Sequence, residues 1–245
     1  MPLPTHRTDG DAMQRVTTIN TIETSSLCDL SCPYCPCKDQ GKFRETGLMD
    51  MGTYAKVLRW VDHFTRLGTQ LEINLSGVGE PLLHPLIVAM VRAARKAAPR
   101  SPIYVVTNGI HVEEGIVQAL FDAGLTRMSI TDHVAPVTMK ALNILKRLKV
   151  PYEYSRHAVT HPNNWGGIID WTDAVDYRFP CTWLDRGQVA ILSDGRVTTC
   201  CTDAFALGVI GTVDDYVPDL IVKPFSVCPK CHHDIPLRMR NFKEG

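Results

Sequence analysis

Three cysteines, Cys28, Cys32 and Cys35, stand as C-x3-C-x2-C inside the stretch TSSLCDLSCPYCPCKD. Spacing this short lets one loop turn its thiolates onto a single inorganic centre. Three ligands are one fewer than a closed four-coordinate site takes, and an open metal position is what catalytic sites keep. On a [4Fe–4S] cube, three protein thiolates leave one iron without a protein ligand. The alternative is a zinc knuckle. Structural zinc takes four ligands, usually as two C-x2-C pairs, and C-x3-C-x2-C is an unusual half of that pattern. Cys37 follows closely but lies off the spacing. It is either inert packing or a thiol held near the centre, where it could give up a hydrogen atom.

A second set lies far downstream: Cys181, Cys200, Cys228 and Cys231, the last two as C-x2-C. The stretch QVAILSDGRVTTCC reads as a hairpin turning at Asp194-Gly195, and it returns the chain close to Cys181. Four thiolates with one C-x2-C pair is, taken alone, a usual zinc pattern. Cys201, adjacent to Cys200, is spare and has the same two readings as Cys37.

The elements around these sets alternate. VTTINTIET, LEINLSG, IYVVTNG, RMSIT and YEYSRHAVT read as strands. TYAKVLRWVDHFTRLG, PLIVAMVRAARKAA, EEGIVQALFDAG and TMKALNILKRLK read as amphipathic helices between them. Strand–helix alternation predicts a parallel sheet with covering helices, whose site collects at the strand ends. The cysteine loop follows the first strand, and small or polar residues follow the others. From about residue 170 the pattern changes to short hairpin elements. Residues 1–15 read as a flexible tail.

Composition narrows the function classes. The 245 residues carry 26 basic and 26 acidic side chains, so no basic field for nucleic acid or anionic lipid is expected. The N-terminal MPLPTHRTDGDAMQR lacks the apolar run of a secretory signal, and no stretch approaches a membrane span. Nine cysteines without such a signal point to ligands or catalysts in a reducing cytoplasm rather than to a disulfide framework.

The motif resembles that of the radical S-adenosylmethionine (SAM) enzymes, and further residues carry the resemblance. Tyr34 stands just before the third cysteine, where the family keeps an aromatic. SGVGEP (76–81) looks like the family's Gly-Gly-Glu motif at the end of the second strand, and TNG (107–109) ends the third. The resemblance implies an α/β fold: a partial (β/α)6 TIM-like barrel over 16–170, with a small C-terminal β-hairpin/helix domain over 171–245. It implies that Cys28, Cys32 and Cys35 hold a [4Fe–4S] cluster whose open iron is chelated by SAM, and that one electron cleaves SAM to a 5′-deoxyadenosyl radical that takes a substrate hydrogen. Tyr34, Ser76, Gly77, Gly79, Glu80, Asn108 and Ser129 are then expected at SAM. Gly77 and Gly79 would let the backbone approach its methionine moiety, and Glu80 would accept from its ammonium group. Glycines at a strand end also simply make turns, Glu80-Pro81 also starts helices, and Asn-Gly is a common turn. The second set resembles a twitch domain, a shortened SPASM domain. Cys181, Cys200, Cys228 and Cys231 would then close an auxiliary [4Fe–4S] cluster that moves electrons. A reducing flavodoxin- or ferredoxin-type donor, a small-molecule substrate and a monomeric chain are expected.

Within the superfamily the chain is most similar to the 2-deoxy-scyllo-inosamine dehydrogenase-like enzymes of aminoglycoside biosynthesis. ETGLMD, GEPLL, TNG, Thr131-Asp132-His133 and GGIID (166–170) carry that likeness. Three substrate-contacting positions depart from it. Thr21 stands in place of Glu, Val106 in place of Tyr and Trp165 in place of Arg, so a different substrate is expected for the same chemistry. Trp165 is either a stacking platform for a sugar or base face or a buried structural Trp. His133 is expected near substrate. Glu23, Arg156 and His157 are candidate substrate or proton contacts; the alternatives are a core salt bridge for Glu23 and a solvated face for the other two. Either dehydrogenation or epimerisation fits, with Cys37 or Cys201 as hydrogen donor in the second case. Peptide modification and a zinc-stabilised binding module are the competing functions.

Overall fold

The computed structural model describes residues 14–156, 165, 168–169, 181–228 and 231. The chain starts with β1 (Gln14–Arg15) and β2 (Thr18–Ile22) and runs through the cysteine loop into α1 (Met51–Arg66). Then strands and helices alternate: β3 (Ile73–Asn74), α2 (Ile87–Ala97), β4 (Ile103–Thr107), α3 (Glu114–Asp122), β5 (Arg127–Thr131), α4 (Ala135–Leu148) and β6 (Tyr152–Ser155). After them come a one-turn helix α5 (Thr182–Asp185), β7 (Gln188–Ile191), β8 (Arg196–Thr198), β9 (Val209–Thr212) and β10 (Ile221–Val222).

Strands β3 to β6 form a parallel sheet in chain order. β2 lies alongside β3, where the Thr24 hydroxyl donates to the Leu75 carbonyl at 3.0 Å. The helices cover the outer face. The period of α1 puts Val57, Trp60, Val61 and Phe64 on one buried stripe, and Met90, Val91 and Ala94 do the same on α2. On β4 and β5 the outward residues Val105, Met128 and Ile130 are fully buried against these helices. The alternate residues Tyr104, Val106, Arg127 and Ser129 are only half-buried and face the barrel interior. The parallel sheet with covering helices is the one the strand–helix alternation predicted, and its form is the partial TIM-like barrel that the family resemblance implied.

The C-terminal hairpin does not form a sheet of its own. β7 pairs in parallel with β2, and β8 and β9 continue antiparallel, giving the order β2-β7-β8-β9. Gly195 makes the turn with φ +84°. β2 therefore carries the first cysteine loop at its end while its free edge holds the hairpin that leads to Cys200. Gln14 and Arg15, read as part of the tail, form β1 and pair with β10. β9 and β10 were not expected: four and two residues long, they are too short to show alternation. Gly166, Gly167, Asp170 and His157 lie outside the described residues. Among the described residues no helix is long and apolar enough to cross a membrane.

Candidate active site

The first cysteine loop leaves β2 and is pinned from below. The Ser26 hydroxyl accepts the Gly47 amide at 2.7 Å, Glu80 N–H donates to the Leu27 carbonyl at 2.7 Å, and Cys35 N–H donates to the Cys32 carbonyl at 3.1 Å. Cys28, Cys32 and Cys35 are all free and partly exposed. The Leu30 amide donates to Cys28 Sγ at 3.4 Å, a contact that favours thiolate. Cys37 heads the 3-10 helix Pro36–Lys42 and turns back, its thiol donating to the Ser26 carbonyl at 3.6 Å. It also hydrogen-bonds Cys28, which lowers the Cys28 thiol to about 7 and pushes Cys37 up, further raised by burial. Cys37 is thus turned onto the main chain of its own loop.

The loop SGVGEP packs against this one with no room to spare. A Cβ on Gly79 would lie 2.4 Å from the Ser25 carbonyl oxygen and 2.6 Å from that of Leu27, and backbone cannot give way. Glu80 is buried, and its carboxylate accepts the Thr107 hydroxyl at 2.7 Å, the Asn108 amide at 2.8 Å and the Leu82 amide at 3.0 Å. Burial pushes its carboxyl up against the pull of these three donors. Ser76 accepts the Val106 amide at 2.6 Å. Asn108, ahead of Gly109 at φ +85°, reaches back to the cysteine loop and donates to Asp29 at 2.8 Å. The strand ends and the cysteine loop are therefore one hydrogen-bonded unit. The residues expected at SAM from the second and third strands brace that unit.

Glu23 makes a bidentate ion pair with Arg44, both distances 2.8 Å, with 2% or less of either side chain exposed. It is thus the core salt bridge that was the alternative reading. Its carboxylate also accepts the Ser193 amide at 3.1 Å and the Val78 amide at 3.4 Å. A Cβ on Gly77 would strike Glu23 Cγ at 2.4 Å. Arg44 had no signal in the sequence.

The residues expected at substrate fall in two places. Val106 lies on the interior face of β4, and its register partner on β5 is Ser129, which was expected at SAM. Thr21 donates to Asn20 and accepts from Asn74 at 3.5 Å. The Asn74 carbonyl oxygen is buried and accepts no hydrogen bond, a polar group the sequence did not single out. The other two lie against the cluster loop. His133 Nδ1 is 2.8 Å from the Tyr34 hydroxyl and 3.7 Å from Cys32 Sγ, its ring stacked on Tyr34. Burial holds its imidazole below the usual histidine range. Trp165 donates its indole N–H to the Tyr34 carbonyl at 3.1 Å. Arg156 pairs with Asp132 at 3.3 Å.

In the second set, Cys200 accepts from the Thr202 amide at 3.4 Å, Cys228 from the Phe225 amide at 3.3 Å, and Cys231 N–H donates to the Cys228 carbonyl at 3.1 Å. Burial pushes the Cys228 thiol up, with a smaller contribution from Cys200. Cys181 caps α5. Cys201 hydrogen-bonds Cys200, which lowers the Cys200 thiol to about 7, while that bond and burial push Cys201 well up.

Among the described residues no three His, Cys, Asp or Glu side chains converge on the spacing of a single metal ion. A zinc knuckle would gather its thiolates about 2.3 Å from one ion. Three free thiols on one hydrogen-bonded loop are the donor set of a [4Fe–4S] cube that keeps one iron open.

Residues 22–158 match the family described as the radical SAM superfamily, and the chain belongs to it. It is therefore a radical SAM enzyme, served by SAM and a [4Fe–4S] cluster. Among characterised relatives it is similar to the S-adenosyl-L-methionine-dependent 2-deoxy-scyllo-inosamine dehydrogenase of Niallia circulans, 28% identical over 85% of this chain and 83% of the relative. It is also similar to the GTP 3′,8-cyclase of Streptomyces coelicolor, 32% identical over 57% of this chain but only 40% of the cyclase. The crystal structure of BtrN in complex with AdoMet and 2-DOIA shares the fold, with a TM-score of 0.66 and 24% identity over 83% of this chain and 80% of that one.

Proposed function

We propose that this enzyme removes a hydrogen atom from a carbinol or amine-bearing carbon of a small polar, sugar- or cyclitol-like molecule. The observation that carries the reading is the join between the three-thiol loop, the SGVGEP loop and the TNG turn at the mouth of a barrel whose interior face is half-buried. When bound, a [4Fe–4S] cluster on Cys28, Cys32 and Cys35 together with SAM supplies the 5′-deoxyadenosyl radical. The chain's own residues do the rest. Gly79 and Glu80 hold the strand ends in register, and Asn108 fixes the loop beside Cys28. Val106, Thr21 and Asn74 line the space for substrate, Ser129 stands beside Val106 on the SAM side, and the Asn74 side-chain amide oxygen offers an acceptor that a substrate hydroxyl or amine would satisfy.

Similarity to the Niallia circulans dehydrogenase over most of both chains supports dehydrogenation. The carbon radical must then lose one electron and the hydroxyl proton to become a carbonyl. Cys181, Cys200, Cys228 and Cys231 would hold the auxiliary [4Fe–4S] cluster that accepts the electron, forming with the segment from 171 onward an electron-transfer unit beside the barrel. Epimerisation is the second reading, favoured by the spare thiol next to Cys200: Cys201 would give a hydrogen atom to the carbon radical, and the thiyl radical left behind would take an electron from the auxiliary cluster and a proton from solvent. The changes at Thr21, Val106 and Trp165 favour a substrate other than 2-deoxy-scyllo-inosamine.

The test is anaerobic purification with iron analysis, followed by SAM cleavage with dithionite. A brown protein with roughly eight irons that releases 5′-deoxyadenosine supports the reading. Turnover of cyclitols and amino sugars in heavy water then separates a ketone product from an inverted, deuterated one. A colourless protein loaded with zinc overturns it.

A further inference from the structure

Arg44 lies outside both cysteine sets, yet its guanidinium touches elements that lead to each. Its Nη1 and Nη2 grip Glu23 at the end of β2, the strand that feeds Cys28. Nη2 also donates to Gln40, whose own amide donates to the Ser26 carbonyl at 3.2 Å and the Cys37 carbonyl at 3.3 Å. Its Nε donates to the Ala204 carbonyl at 2.8 Å, three residues beyond Cys201. Glu23 meanwhile accepts the Ser193 amide at the mouth of the hairpin that ends in Cys200. Ala204 and Ser193 are both buried.

We propose that Arg44 is a positioning residue that fixes the loop of Cys200 and Cys201 against the first cysteine loop, so that assembly of the second centre depends on the Glu23–Arg44 pair. The inference rests on the reading of Cys181, Cys200, Cys228 and Cys231 as ligands of an auxiliary cluster. Its physical basis is directional. A planar guanidinium with its donors committed on three sides holds three groups at fixed mutual angles, which lysine, a point charge on a flexible stem, does not. Gly77 packs on Glu23 from the other side, so the carboxylate cannot follow a shifted partner. The loop beyond β8 is closed on itself by Asp203, which accepts from Thr198, Leu207 and Gly208, and Phe205 stacks on Phe43 beside Arg44; of these ties, the Arg44–Ala204 bond is the directional polar one to the first cysteine loop.

The experiment compares the full-length wild type with Arg44→Met and, as a milder variant, Glu23→Gln. Each is reconstituted anaerobically with iron and sulfide. The readouts are iron per chain, the electron paramagnetic resonance signals of the reduced protein with and without SAM, and amide hydrogen exchange. The expected result is selective. Arg44→Met keeps the signal that SAM perturbs, loses the second signal, and drops from roughly eight irons to roughly four. Exchange rises at Ser193 and across 198–206 but not in α1 or α2. Glu23→Gln shifts in the same direction and decides the matter where Arg44→Met does not fold. Retention of both signals, or equal loss of both, overturns the proposal. A wild type with only four irons would instead sink the auxiliary-cluster reading. Exchange then still judges Arg44: a rise confined to Ser193 and 198–206 supports the link, and a global rise or none rejects it.

Discussion

The main-chain N–H of Asn108 points into the carboxylate of Glu80 at 2.8 Å, so the end of β4 is held by a side chain that leaves β3. Two other donors, from Thr107 and Leu82, share that carboxylate. Hydrogen bonds to a charged acceptor contribute about 1.5–3 kcal/mol each. Glu80→Ala therefore strands three donors, two of them at strand ends that frame the cysteine loop. The expected outcome is at least about a tenfold rise in the SAM dissociation constant, the effect of roughly 1.4 kcal/mol, measured by equilibrium binding to the reduced protein. Glu80→Gln, which keeps the shape but turns an amide toward donors, should fall between wild type and Ala. Unchanged SAM affinity in Glu80→Ala would exclude this bracing role.

Gly79 gives a second test, this time of close approach. An added methyl meets the carbonyl oxygens of Ser25 and Leu27, both main chain, so the two loops must separate. Overpacking of this kind costs about 1–3 kcal/mol. Gly79→Ala should lower the thermal midpoint by several degrees and reduce iron bound at the first site. Gly115 in α3 is the control, because a Cβ there meets nothing within 4 Å. Gly115→Ala should raise stability by about 0.5–1 kcal/mol through helix propensity alone. Equal behaviour of the two variants in calorimetry would remove the steric argument.

These two residues also mark what the sequence made legible. Strand–helix alternation predicted the parallel sheet and its covering helices because each period is local and survives in the fold. C-x3-C-x2-C and SGVGEP announced their loops because ligand spacing and close glycine approach are set by neighbours in the chain. The Glu23–Arg44 pair was invisible for the opposite reason. Its partners are 21 residues apart with no repeating pattern between them, and an arginine ahead of Glu45 reads as surface. The pairing of β2 with β7 was equally hidden, since a parallel contact between distant strands leaves no mark on either. Glu80 was legible as important. That its carboxylate faces three protein donors follows only from the meeting of β3 and β4.

His133 divides two roles that the sequence left together. It was expected near substrate, and the structure sets it on Tyr34 and 3.7 Å from Cys32 Sγ. A histidine on the cluster loop should affect SAM cleavage even without substrate, whereas a substrate contact should change KM alone. His133→Phe keeps the ring stack and removes the bond to Tyr34. The expected outcome is slower substrate-free formation of 5′-deoxyadenosine and a changed resonance signal from the first cluster, with the substrate KM altered less than kcat. A KM effect with unchanged substrate-free cleavage would assign His133 to substrate instead.

The two spare thiols differ in what they face. Cys37 donates to the Ser26 carbonyl and lies against Cys28, inside the loop that carries the triad. Cys201 lies beside Cys200 at the end of the hairpin and hydrogen-bonds it. A hydrogen donor must reach the substrate face opposite the one that was stripped, and Cys37 is turned onto the main chain of its own loop, so Cys201 is the candidate to test. In heavy water a thiol exchanges its proton, and a hydrogen atom delivered from it appears as deuterium at the product carbon. Cys37→Ala should leave product formation within about twofold of wild type, a change of roughly 0.4 kcal/mol in the barrier. Under epimerisation, Cys201→Ala should abolish deuterium delivery while 5′-deoxyadenosine still forms, because hydrogen abstraction precedes the thiol's part. Under dehydrogenation, Cys201→Ala should still give the ketone. Loss of deuterium delivery in Cys37→Ala, with delivery kept in Cys201→Ala, would reverse the assignment and make the thiol beside the first centre the donor.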